Sequence, residues 1–369
     1  MKNSLECLAA VDRLVRPGLV QLPGDLPIRL YSQGRQTVLQ SFVRTPPKPR
    51  PVPASLARTL WGLEFRSPIF NAAGLFKKGE GYDVVAAQGA GAYLAGTTTA
   101  TPRIGNQRHG IAQPFAPYPL SGAASNWLGL PNPGHGPVAD GLAQLERTDH
   151  CPIGVSLSAD PGAEAEPALD GLVGGLEAYE RAGVDFIEIN ESCPNTEDGA
   201  ASLDGFSSRV SALAERFLSR RERALPVLVK LSTDSDPGRL PAIITQLIEL
   251  GFDGLVLGNT STDYDNIRRE ITLPERRLFN RFSKRYGGGV SGRPLRRRAL
   301  ELVKAAAAVV REQKADDFHL VRVGGVESAA DVQASLEAGA SLVQWYTGYF
   351  EQFGRHGHDV YRRLYRRLA

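Results

Sequence analysis

Short apolar runs recur along most of the chain, each entered through a small residue and a glycine that follow a helical stretch. One copy is Ala87-Gln88-Gly89-Ala90-Gly91-Ala92-Tyr93-Leu94-Ala95-Gly96-Thr97. Others are Ala182-Gly183-Val184-Asp185-Phe186-Ile187-Glu188-Ile189-Asn190, Leu250-Gly251-Phe252-Asp253-Gly254-Leu255-Val256-Leu257-Gly258-Asn259 and Ala338-Gly339-Ala340-Ser341-Leu342-Val343-Gln344-Trp345-Tyr346. Glycine after a helix supplies the left-handed cap, and the apolar run behind it reads as a strand buried on both faces. Between the copies, Ile69–Ala73, Ile153–Ser156, Val227–Leu231 and Leu320–Val323 read as four more strands. Helical stretches separate most of them: Leu203–Arg221, Leu240–Leu250 and Pro294–Gln313. Eight such units predict an α/β fold, a closed (β/α)8 TIM barrel. An open doubly wound sheet is the rival, and eight units in one domain favour closure.

The chain before this pattern is different. Leu5, Leu8, Ala9, Val11, Leu14 and Val15 make a helical apolar stripe, Leu22-Pro23-Gly24-Asp25 breaks it, and residues 28–43 predict a second short helix. Thr45-Pro46-Pro47-Lys48-Pro49-Arg50-Pro51-Val52-Pro53 excludes helix and sheet and reads as a stiff connector. The expected organisation is a helical extension and linker over 1–53, then the barrel over 54–369.

Charge sharpens that division. Residues 1–53 hold eight Lys/Arg against three Asp/Glu, although the whole chain of 369 residues is only +3. The barrel part is therefore slightly acidic, which argues against a nucleic-acid partner, while the basic extension reads as a surface-binding element. No apolar run approaches the roughly 18 residues of a membrane span, and no signal peptide is expected at the start. The three cysteines, Cys7, Cys151 and Cys193, are too few and too far apart for a disulfide framework or a metal ligand set. The six histidines show no HxxxH spacing, so no metal is expected, and a reducing cytoplasm fits.

Function in such barrels lies where the strands end. Here the ends are polar: Thr97, Asn190, Lys230, Asn259 and Tyr346-Thr347. One such residue is an ordinary turn; several in one layer point to a shared ligand site. Val323-Gly324-Gly325 and Tyr346-Thr347-Gly348 fall after strands seven and eight, where barrels often hold phosphate on backbone N–H groups and a helix N-terminus. A phosphate site beside a polar cavity points to a phosphorylated cofactor such as FMN.

The motifs themselves resemble the dihydroorotate dehydrogenase family. They are Asn71-Ala72-Ala73-Gly74-Leu75-Phe76-Lys77-Lys78-Gly79-Glu80, Asn126-Trp127-Leu128-Gly129-Leu130-Pro131-Asn132-Pro133-Gly134 and Ile189-Asn190-Glu191-Ser192-Cys193-Pro194-Asn195-Thr196. Val229-Lys230, Asn259-Thr260, Gly289-Val290-Ser291-Gly292-Arg293-Pro294 and Ala338–Gln344 follow in family order. The resemblance implies oxidation of dihydroorotate to orotate, a base taking the C5 proton while hydride leaves C6 for the flavin. It implies that Asn126, Asn190, Asn195 and Asn259 hold the pyrimidine; amides suit a ring that alternates N–H and C=O. It further places Lys77 near the substrate carboxylate and flavin, and Lys230 beside the flavin ring, where a fixed cation favours developing negative charge. Trp127, Leu128, Gly129, Leu130 and Thr260 fall with the substrate. Ala73, Gly74, Lys77, Thr97, Ser156, Asn190, Lys230, Gly258, Gly292, Gly324, Gly325, Tyr346 and Thr347 fall with FMN. Cys193 matches the base, and its position between Ser192 and Pro194 in the loop after strand four reads as exposed rather than packed.

The pattern is a hybrid. Cys193, Gly129-Leu130-Pro131-Asn132 and Val155-Ser156 resemble the soluble class 1 enzymes. The extension, Gly289–Pro294 and Leu342–Gly348 resemble the membrane-associated, quinone-reducing class 2 enzymes. Ser156 stands where class 2 has Asn, Gly258 where it has Thr, Phe76 replaces an acidic residue, and Glu191 adds a charge beside the site. The expected partners are dihydroorotate, a quinone and a peripheral contact of residues 1–44 with the cytoplasmic side of an inner membrane. Fumarate or another soluble oxidant, with a soluble cytoplasmic protein, is the alternative. A dihydrouridine synthase, which would need a basic RNA-binding face, and a non-catalytic pyrimidine-binding barrel are the other readings.

Overall fold

The structure, a computed structural model, describes residues 4–44, 46–191 and 203–368. Eight strands form one sheet: β1 Ile69–Asn71, β2 Tyr93–Thr98, β3 Ile153–Leu157, β4 Phe186–Asn190, β5 Val227–Leu231, β6 Gly254–Leu257, β7 His319–Val323 and β8 Leu342–Trp345. Every ladder is parallel, and the order is β1-β8-β7-β6-β5-β4-β3-β2. The two ends meet at a seam that Asn71 bridges between the backbone bonds from Gly91 N to Ile69 O and from Gly74 N to Gly96 O. The Asn71 amide donates to Leu94 O at 2.8 Å and accepts from Leu94 N at 3.3 Å. The sheet is thus a nearly closed barrel, as the repeat of glycine and apolar run predicts.

Alternate residues of each strand fill the barrel in layers. At the bottom, the Phe186 ring meets Phe65 and Phe70 at 6.1 and 5.9 Å between centroids. Gly154 on β3 makes room for that ring: a Cβ there would fall 2.3 Å from Phe186. The hairpin Arg58–Leu60/Leu63–Phe65 closes this end, with Trp61 Nε1 donating to Asp253 O at 3.0 Å. The layer above is polar and leads to the open mouth. Over the mouth stands an antiparallel sheet not foreseen from sequence, Phe115–Tyr118, Ala123–Asn126 and Gly289–Gly292.

The two expected N-terminal helices are α1, Ser4–Leu19, and α2, Leu26–Phe42. Little of the apolar stripe read in the sequence faces the barrel. Of that stripe only Leu5 is buried; Leu8, Val11, Leu14 and Val15 are 51, 55, 72 and 47 % exposed. The extension is held by other contacts. Ile28 and Phe42 are buried, and Phe42 packs on Phe76 (5.8 Å) and Phe353 (5.2 Å). Phe76 therefore has a structural account: it is a ring for α2 to rest on, stacked in turn against Tyr93. Asp25 pairs with Arg281 at 2.7 Å and Arg285 at 3.1 Å, fixing the start of α2.

Candidate active site

One cavity of about 120 Å³ opens at the C-terminal ends of the strands. Ala73, Gly74 and Lys77 enter it from the loop after β1, Thr97 and Asn190 from the ends of β2 and β4, and Lys230 from β5. Asn259 and Thr260 follow β6, and Asn126, Leu128 and Leu130 descend from the sheet over the mouth. Gly292, Gly324, Gly325, Tyr346 and Thr347 complete the wall. Sequence positions more than 270 apart thus converge on one space.

The strand-end amides are not independent. Asn259 Nδ2 donates to Asn190 Oδ1 at 3.2 Å, Asn190 Nδ2 to Thr97 Oγ1 at 3.3 Å, and the Thr97 and Ser156 hydroxyls are 3.0 Å apart. A chained set of this kind fixes which way each amide faces. Thr233 braces the far end, its Oγ1 accepting from Asn259 N at 2.9 Å and donating to Asn259 O at 2.6 Å.

Beneath these groups lies a buried charge pair. Lys230 Nζ is 3.0 Å from Glu188 Oε1, and Gln344 Nε2 donates to Glu188 Oε2 at 2.8 Å. All three are at most 3 % exposed. Glu188 belongs to β4 and Gln344 to β8, so this contact crosses the barrel. Neither residue was singled out from sequence. The signal was present, because a lone carboxylate two positions before Asn190 on a fully buried strand must face the same interior and needs a partner there.

Four expected residues stand behind the wall rather than on it. Ser156 is fully buried and reaches the cavity only through Thr97. Gly258 has φ +112°, and a Cβ would fall 2.0 Å from Val323 O, so this backbone excludes a side chain there. Gly129 is pressed against Asn106, 2.3 Å from where a Cβ would be, and Trp127 lies under the Arg108 guanidinium at 4.6 Å. Glu191 is paired with Arg209 at 2.5 Å, which neutralises the extra charge beside the site. Cys193 and Asn195 lie outside the described residues.

Of the other titratable groups nearby, His135 is buried against Thr98 and Tyr179, and burial pushes its pKa down to about 4, so it is neutral at pH 7. At the opposite end of the barrel, before β3, burial pushes the Cys151 thiol up to about 11, leaving it protonated and inert.

The glycine loops are shaped for a ligand. A Cβ on Gly325 would meet the Arg296 backbone at 2.5 Å, and one on Gly348 would meet Val326 O at 2.1 Å, so backbone lies bare along this wall. Arg322, wholly buried, holds the loop from outside by donating to Arg296 O at 2.9 Å and Ser335 Oγ at 2.8 Å. Burial lowers its pKa to about 10, which leaves it cationic. Two buried polar atoms on the cavity wall, Gln344 Oε1 and Thr260 Oγ1, have no hydrogen-bond partner among the described residues. Buried polar groups are normally paired, and these two are placed where a polar ligand could bond them.

A second, larger space of about 440 Å³ runs between the extension and the mouth. Leu8, Leu19, Leu30, Val38, Phe115 and Phe350 give it an apolar lining. It shares Tyr346 and Thr347 with the first cavity.

The family model for dihydroorotate dehydrogenase matches residues 55–368. The chain belongs to this family. Similar proteins include the dihydroorotate dehydrogenase (quinone) of Methylococcus capsulatus, 31 % identical over 92 % of this chain and 94 % of that one. That of Acidithiobacillus ferrooxidans is 34 % identical over 79 % of this chain and 77 % of its own. Among solved structures, Eimeria tenella DHODH in complex with ferulenol superposes with a TM-score of 0.73 over 91 % of this chain and 90 % of that chain. At 24 % identity that likeness shows the barrel fold alone. The dihydroorotate dehydrogenase family is a flavin-dependent oxidoreductase family, and this chain is an oxidoreductase of it.

Proposed function

We propose that this dihydroorotate dehydrogenase oxidises dihydroorotate to orotate at the barrel mouth with FMN, and passes the electrons to a quinone in the groove beneath α1 and α2. One observation carries the reading: the polar cavity and the apolar groove abut at Tyr346 and Thr347. A small polar ring fits the first, and a long apolar molecule fits the second.

FMN, when bound, supplies the acceptor for hydride. Gly324, Gly325, Thr347 and Gly348 would hold its phosphate on backbone N–H groups, and the helix Thr347–His356 begins there. Lys230, Asn190 and Thr97 would face the ring, with Glu188 setting the position of the Lys230 ammonium. Asn126, Asn190 and Asn259, together with Asn195, would orient the pyrimidine, and Lys77 would face its carboxylate. The Cys193 thiolate would take the C5 proton. A quinone rather than fumarate is favoured because the groove offers about 440 Å³ of mainly apolar space. The exposed Leu8, Val11, Leu14 and Val15 would rest on the cytoplasmic face of a membrane as a peripheral contact. No described helix is long and apolar enough to cross one.

The test is spectroscopic. The purified protein should be yellow, release FMN on denaturation, bleach with dihydroorotate without oxygen and recolour on adding quinone. FAD or no flavin would sink the cofactor assignment. Bleaching followed by recolouring with fumarate alone would move the acceptor to the soluble alternative.

A further inference from the structure

The apolar groove holds a charged cluster on its α1 side, apart from Arg35 on α2, which donates to Gln113 Oε1 at 3.0 Å. Arg16 on α1 donates from Nη1 to Glu351 Oε1 at 2.6 Å and from Nε to Asp12 Oδ2 at 2.8 Å, and Tyr31 on α2 donates to Asp12 Oδ1 at 3.0 Å. All four side chains line the groove. Glu351 lies one helical turn beyond Thr347, on the same face of the helix Thr347–His356. It is therefore near the wall the two cavities share. Two carboxylates divide one guanidinium here, so with both ionised the cluster carries a net negative charge in apolar surroundings. Such a cluster tends to hold a proton.

We propose that Glu351 is the proton donor to the acceptor bound in this groove, delivering its carboxyl proton to a carbonyl oxygen of a quinone as that oxygen becomes a hydroxyl. The inference rests on reading the groove as the acceptor site. Quinone reduction consumes two electrons and two protons. Both electrons come from dihydroorotate oxidation by way of the bound flavin, and one proton travels with them. The second must come from the protein or water. In the proposed step the Glu351 O–H bond breaks, an O–H bond forms on the acceptor, and the carboxylate left behind is held by Arg16. Water at the groove mouth then restores the proton.

The surroundings of Glu351 suit that role. Burial raises its pKa, Arg16 from α1 lowers it, Glu327 from the loop after β7 raises it, Arg355 on its own helix lowers it and Asp12 from α1 raises it, with a net rise. Tyr31 from α2 touches Asp12, and burial raises its own pKa, so it stays a neutral donor. Only protonated Glu351 can donate, so turnover limited by this step falls as pH rises through its raised pKa. A tether joining α1 to the helix would need the same ion pair but would give no such dependence.

The experiment compares Glu351→Gln, Glu351→Asp and wild type, full-length, with a short-chain benzoquinone and with ferricyanide, which takes electrons without protons. In Glu351→Gln, kcat with quinone should fall about 100-fold, the scale of a lost general acid. KM should stay within about twofold, and the alkaline limb of the quinone profile should vanish. Ferricyanide turnover and flavin bleaching by dihydroorotate should be unchanged. Glu351→Asp should restore part of the rate and the limb. Quinone kcat and pH profile at wild-type values in Glu351→Gln overturn the inference. So does an equal loss with ferricyanide, or a loss confined to KM, either of which marks the pair as a tether. A wild type that never reduces quinone would instead bring down the acceptor reading, and this inference with it.

Discussion

At the barrel mouth, polar side chains sit on strand ends and bond to one another: Ser156 to Thr97, Thr97 to Asn190, Asn190 to Asn259. In the groove beside it, two helices present leucine and valine side chains, and the acidic groups gather in one cluster around Arg16. The mouth encloses about 120 Å³ and the groove about 440 Å³. Strand ends anchored in a closed sheet hold donors and acceptors at fixed positions, which recognition of a small heterocycle requires. A helix pair docked through Ile28, Phe42 and a few ion pairs offers length and apolar area instead. The two halves of the proposed reaction thus fall on parts of the fold with different physics, and they should be separable.

Deleting residues 1–44 is the strongest way to break the comparison. It removes Leu8, Arg16, Leu19, Leu30, Tyr31 and Val38 from the groove while leaving every strand end in place. Quinone turnover should be abolished and bleaching by dihydroorotate spared, measured by stopped flow on the truncated protein. Full quinone turnover without the helices would mean that the groove is not the acceptor site. The complementary change is Cys193→Ala, expected to slow flavin reduction at least ~100-fold with FMN still bound. Cys193→Ser should keep partial activity with its pH optimum moved upward, since a hydroxyl is the weaker acid. Wild-type bleaching rates in Cys193→Ala would place the base elsewhere.

Much of the mouth was legible in the sequence because its signals are local. A glycine cap followed by an apolar run marks each strand, and the residue that ends the run marks the site, so Thr97, Asn190, Lys230 and Asn259 could be named in advance. What was not legible depends on partners far away in sequence. Glu188 sits inside an apolar strand and is explained only by Lys230 and Gln344 arriving from β5 and β8. Phe76, a departure at a family motif, is explained by the rings of Phe42 and Tyr93. The cover of the stripe on α1 stayed open in the sequence, because periodicity reports which residues share a side and not what covers that side.

Glu188 offers a sharper test of how rigid the mouth is. Glu188→Ala leaves the Lys230 ammonium buried without its counter-charge, a change that typically costs about 3–5 kcal/mol. Chemical denaturation should show a loss of that size, with FMN binding weakened. Glu188→Leu with Lys230→Met should recover most of the stability, because an apolar pair of similar volume carries no buried charge. If the single variant is as stable as wild type, the layer under the cavity is not held by this pair.

The smallest effect on folding, and the one that probes the outer face of the extension, belongs to Leu14. Its side chain is 72 % exposed on α1, so Leu14→Asp removes almost no internal contact and should change stability by no more than about 0.5 kcal/mol. Solvent exposure of Leu8, Val11, Leu14 and Val15 on one helix has a cost in water that a lipid surface would remove. Burying a leucine is worth about 1.5–3 kcal/mol, so a charge at this position should weaken binding to phosphatidylcholine vesicles about tenfold or more. Leu273, 76 % exposed on a separate segment, is the control: Leu273→Asp should leave vesicle binding unchanged. Sedimentation with vesicles, read beside a thermal melt, separates the two effects. Equal vesicle binding by Leu14→Asp and wild type would mean that the outward residues of α1 do not meet a membrane. The groove would then be an internal chamber whose acceptor arrives through water.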